Sequence, residues 1–64
     1  MIDHLFLRQL RKRTRLIVVA RKVGVPRRQL QAIELGQEHP EFAILRNLAM
    51  FYQVPTAALL RHAP

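Results

Sequence analysis

VARKVGVPRRQLQAIELG, residues 19–36, divides at Gly24 and Pro26 into the end of one helix, a tight turn and a second helix. Gly24 supplies a residue that tolerates the left-handed conformation in which helices commonly stop. Pro26 pushes Val25 out of the α region, and its fixed φ suits the first turn of a new helix. In that second helix, expected over about 26–35, Leu30 and Ile33 share one face, Arg27, Arg28 and Gln31 point the other way, and Gly36 ends the run.

Upstream of the turn, Leu16, Val19 and Val23 recur at i, i+3 and i+7, which predicts a helix over about 15–23. The Ile17-Val18-Val19 triplet pulls locally toward a strand, because β-branched residues fit pleated backbone better. Helical spacing of the apolar positions decides for the helix. Asp3 is a candidate N-cap for a first helix over about 3–12, with Leu7 and Leu10 inward and Arg8, Arg11 and Lys12 outward; Thr14 is a second cap candidate. Downstream, Pro40 opens a fourth helix over about 41–52 with Phe42, Leu45, Leu48, Ala49 and Tyr52 as its apolar stripe, and Pro55 opens a last helix over about 55–61. The expected fold is all-α: a compact five-helix domain, with a helix-turn-helix at helices 2 and 3.

Sixty-four residues support a single domain, 1–64, with no separate sensing or cleavage domain expected. A chain this short buries only about 60% of its unfolded surface, so a second subunit or a ligand is a plausible support. Without Cys there is neither a disulfide nor a thiolate metal site, and His4, His39 and His62 are too scattered to form a ligand cluster. Neither a metal nor another cofactor is expected. Ser is absent too, leaving Thr14 and Thr56 without an evident base, while Glu34, Glu38 and Glu41 read as capping or solvated carboxylates. An enzyme acting on a small-molecule substrate is not expected. The longest apolar runs, Leu16 to Ala20 among them, reach five residues against the ~20 that span a bilayer. No membrane or export role follows, and the expected location is cytoplasmic.

Nine of the eleven Lys and Arg residues lie between positions 8 and 28, a stretch with no acidic residue. Solvated helix faces usually interleave Glu for i,i+4 pairing, and this stretch has none. One-sided charge of this kind is the footprint of a nucleic-acid partner; anionic membrane, an acidic protein and a merely solvated face are the weaker readings.

The segment from Val19 to Gly36 resembles the helix-turn-helix of the lambda-repressor-like, Cro/Xre-type DNA-binding family, whose pattern runs L-A-x-x-L-G-V-S-x-x-x-I-x-x-I-E-x-G. The similarity continues through Pro40, where PEFAILRNLAMFYQVPTAALL is similar to that family's fourth and fifth helices, so that it covers about positions 7–60. Within it Ala20 is small enough for the two helices to cross closely, Gly24 makes the turn, and Val19, Val23, Val25, Leu30 and Ile33 fill the wedge between them. The resemblance implies an Arg on helix one paired with Glu34. With about two residues deleted between helices one and two, that residue is Arg11; without the gap, Gln9 takes its place. The sequence departs from the family at the start of helix two, where Leu16, Ile17 and Val18 replace hydroxyl, amide and acidic residues, so the amide that would buttress a phosphate is missing. This apolar patch is either tolerated surface or a contact for a protein partner.

Helix three placed in the major groove, as the resemblance implies, offers Pro26, Arg27, Arg28, Gln31 and Ala32 to base edges and Arg15, Lys22, Gln29 and His39 to phosphates. Arg27 and Arg28 diverge by about 100°, so one of them can read a base while the other holds a phosphate. The family's habit of binding inverted half-sites about 34 Å apart implies a homodimer. Val54, Pro55, Ala58, Leu59 and Leu60 are candidates for its interface, with packing onto helix one as the competing reading. The expected function is sequence-specific binding of double-stranded DNA by a transcriptional regulator, a repressor on an inverted-repeat operator. The alternative is an antitoxin-like or co-regulator module that uses Leu16, Ile17 and Val18, with DNA binding secondary.

Overall fold

The computed structural model describes residues 2–60. Four α-helices follow in order, α1 His4–Arg11, α2 Leu16–Val23, α3 Arg27–Glu34 and α4 Phe42–Tyr52, and a 3-10 turn over Thr56–Leu59 closes the chain. Beyond these, Ile2 and Leu60 form an isolated antiparallel bridge.

Local chemistry accounts for most helix ends. Asp3 caps α1, its Oδ1 accepting from the Phe6 amide at 3.2 Å. Lys12 then reverses the chain at φ 50 and ψ −117. Thr14 does not cap α2, as it was expected to: Arg15 occupies the N-cap position, without a side-chain cap, and the Thr14 carbonyl accepts from Arg11 Nη1 at 2.9 Å. Gly24 ends α2 at φ 86 and ψ 34, and the Val25 amide donates to the Ala20 carbonyl across it. Pro26 sits one residue before the first helical position of α3, its carbonyl accepting from the amides of Gln29 and Leu30. Gly36, at φ 77, follows the end of α3.

Every helix contributes to one core. Leu7 comes from α1; Val19, Ala20 and Val23 from α2; Leu30 and Ile33 from α3; Leu45, Leu48 and Ala49 from α4. The Ile17-Val18-Val19 triplet is helical despite its local preference, because Val19 is fully buried in that core.

Two expectations change. Phe42 is not part of the buried stripe of α4 but is 71% exposed. It is the first residue of its helix, and helical side chains lean back toward the N-terminus, so Phe42 projects past the end of α4 with no preceding turn to pack on. The helix expected over 55–61 is one 3-10 turn, and position 61 lies outside the described residues. The Leu59 carbonyl accepts from the Asp3 amide at 2.7 Å and Leu60 is extended to pair with Ile2, which draws the chain out of the helix and onto the N-terminal segment.

Candidate nucleic-acid interface

Helix α3 is held from behind and open in front. Leu30 and Ile33 are fully buried, and Glu34 is 3% exposed. Arg11 Nε donates to both carboxylate oxygens of Glu34, at 3.0 and 2.9 Å, while its Nη1 holds the Thr14 carbonyl. One guanidinium therefore ties the α1–α2 turn to the end of α3. This selects Arg11 over the exposed Gln9 as the partner of Glu34, as expected with about two residues missing between helices one and two. Charge-assisted pairing also gives this buried carboxylate its hydrogen-bond partner.

The front of α3 carries exposed Arg27, Arg28 and Gln31, with Ala32 half-buried at its edge and Pro26 exposed just before it. Residues four apart share a stripe on a helix. Arg27 thus stands over Gln31 and Arg28 over Ala32, two parallel rows presented outward. Of the residues assigned to phosphates, Arg15 and Lys22 are exposed at the two ends of α2, and Gln29 is half-buried on the flank of α3. His39 is exposed, with Nδ1 2.9 Å from the Pro40 carbonyl oxygen, and Nε2 has no hydrogen-bond partner among the described residues.

The charge remains available. Of the nine basic residues between positions 8 and 28, eight are exposed, and Arg11 alone is turned inward. Ala20 is fully buried at the crossing of α2 with α3. A Cβ on Gly24 would meet nothing within 4 Å, so the turn requires glycine for its φ rather than for space.

Asn47 is a positioning residue that the sequence pattern did not single out. Its Nδ2 donates to the Val23 carbonyl at 3.1 Å and so pins α4 to the last residue of α2. A lone side-chain amide in a helix that is apolar but for Arg46 and the Tyr52 phenol is the signal that could have found it. Tyr52 brings its phenol to the same neighbourhood as Arg11 and Glu34, and its hydroxyl is buried without a hydrogen-bond partner among the described residues. Burial, and secondarily the Glu34 charge, push its pKa up to about 12 against a smaller opposing effect of Arg11.

The other assignments fare differently. Leu59 is fully buried, so it belongs to the core and is not available to a dimer interface. Val54 and Leu60 pack partly against the same core, which leaves Pro55 and Ala58 as the exposed members of that group. Leu16 also packs on the core, Ile17 is half-buried, and Val18 is 42% exposed, so the apolar patch at the start of α2 is smaller than its sequence suggests. Among the described residues no group of three or more His, Asp or Glu could hold a metal ion, and no helix is long and apolar enough to cross a membrane.

Comparison with curated proteins and with solved structures returned no match. A family model described as a helix-turn-helix domain matches residues 5–63, which takes in the four helices except the first residue of α1, the Gly24 turn and the Arg11–Glu34 pair. The chain belongs to the helix-turn-helix domain family.

Proposed function

We propose that the protein is a sequence-specific reader of double-stranded DNA that regulates transcription, acting as a repressor by occupying an inverted-repeat operator as a dimer. The observation that carries this reading is the front of α3: Arg27, Arg28 and Gln31 are exposed together on a helix whose back is locked by Leu30, Ile33 and the Arg11–Glu34 pair. Arginine is the best fork for guanine O6 and N7, and Gln pairs with adenine, so the half-site mixes G with A·T pairs. Arg15 at the start of α2, Lys22 at its end and His39 ahead of α4 supply phosphate contacts on either side. Pro55 and Ala58, with the edges of Val54 and Leu60, are the surface through which two copies meet. The protein binds rather than catalyses, and no cofactor enters the mechanism. Its charge and helix-turn-helix suit a place beside DNA in the cytoplasm.

Selection of bound sites from a random duplex library tests the reading. The expected result is a two-fold symmetric consensus with half-sites about one helical turn apart. Recovery of unenriched sequence, or affinity that does not change between about 50 and 200 mM salt, would sink it.

A further inference from the structure

Helix α4 shows a different chemistry on its outer side. Phe42 is 71% and Met50 69% exposed, the two largest exposures among the large apolar side chains described. They are eight residues apart, about 12 Å along the helix, with exposed Arg46 midway between them. Spacings of four place all three on one stripe, and exposed Ala43 lies beside it as a low point. A single exposed hydrophobe is ordinary, but two flanking a cation on a rigid helix form a patterned surface. Arg46 is the only charged residue of α4, and among the described residues no carboxylate pairs with it.

We infer that this face is a docking surface for an acidic amphipathic helix of a partner protein, one whose carboxylate meets Arg46 while apolar residues a turn to either side cover Phe42 and Met50. Charge decides the occupant. The stripe is symmetric about Arg46, so a two-fold dimer through it would set Arg46 against its own copy, between chains that each carry a net charge of +7. An anionic membrane fits poorly as well, since interfacial helices carry a row of Lys and Arg and α4 carries one. A carboxylate flanked by apolar groups satisfies all three side chains at once, and exclusion of water by the flanks strengthens the central pair. The inner side of α4 is occupied by Leu45, Leu48 and Ala49 in the core, and Asn47 holds it to Val23. A partner on α4 therefore sits on the helix that braces the Gly24 turn, while Arg27, Arg28 and Gln31 belong to another helix.

The test is an NMR titration of the isotope-labelled full chain with a synthetic helical peptide that carries Leu, Glu and Leu at i, i+4 and i+8 on one face. Amide shifts centred on residues 42–50 are expected, weakened about tenfold by Arg46→Glu and restored when the peptide's Glu is replaced by Lys. The double variant Phe42→Gln, Met50→Gln removes peptide binding with an unchanged amide spectrum elsewhere. Four results overturn the proposal: no shifts at 42–50; shifts confined to positions 8–28; sedimentation in which Phe42→Gln, Met50→Gln turns a dimer into a monomer; or phosphatidylserine vesicles that bind through the same two residues. Duplex DNA titrated into the unsubstituted chain keeps the two readings apart, since absence of peptide binding with intact duplex binding rejects this proposal alone, and the reverse rejects only the DNA reading.

Discussion

Gly24 and Gly36 both adopt positive φ, but the two positions disfavour a side chain for different reasons. At Gly24 a Cβ has open space, so Gly24→Ala carries backbone strain alone, and an expected loss of about 1 kcal/mol in urea unfolding. At Gly36 a Cβ would stand 3.0–3.1 Å from the His4 ring, so Gly36→Ala adds a steric cost and is expected to lose more than Gly24→Ala in the same assay. Tyr52 supplies a pH signature. Its pKa rises from 10.0 in the unfolded chain to about 12 in the fold, so between those values the unfolded chain releases the proton while the folded one keeps it. The contribution is whole below pH 10 and lost as pH rises toward 12. Thermal unfolding midpoints are expected to fall across that window and to fall less in Tyr52→Phe. Tyr52 is the sole tyrosine, so phenolate absorbance reports its ionisation directly, and titration near pH 10 would refute the shift.

Between helices, the Arg11–Glu34 pair is the contact with the most at stake. Arg11→Met leaves the Glu34 carboxylate buried without its cation and is expected to cost about 3 kcal/mol or more, most of what a domain of this size has to spare. Urea unfolding measures it, and recovery in Arg11→Met, Glu34→Leu would identify the orphaned charge as the cause. On the front of α3, Gln31→Ala and Arg28→Ala are each expected to lose about 1–3 kcal/mol on the selected site and to relax preference at one base pair. Uniform weakening across all duplexes would reassign that side chain to a phosphate. At this scale several local rules held, although Thr14 failed as a cap. Asp3 as cap, Gly24 as stop and the outward set Arg27, Arg28 and Gln31 follow from spacing and from φ preferences alone. Phe42 was misjudged because periodicity specifies which residues share a face and is silent about which end of the helix overhangs its support.

For the whole molecule, the separation of a basic front from a small core governs behaviour. With eight exposed cations in positions 8–28, duplex binding is expected to depend steeply on salt. Arg15→Gln is expected to weaken binding to every duplex alike and to lower the slope of log affinity against log salt by about 1, read by fluorescence anisotropy across a salt series. An unchanged slope would remove Arg15 from the backbone contacts. The turn between α2 and α3, the cap of α1 and the one-sided charge were settled by neighbours in the chain, since caps, glycine and proline conformations and i,i+4 rows act over a few residues. Which cation is spent inside, which apolar side chains stay outside and how the chain ends were settled by partners remote in sequence. Arg11 finds Glu34, Leu59 fills the core, and Leu60 leaves the last helical turn to meet Ile2. Those outcomes depend on what stands across the core from each residue, a distance that no local preference encodes.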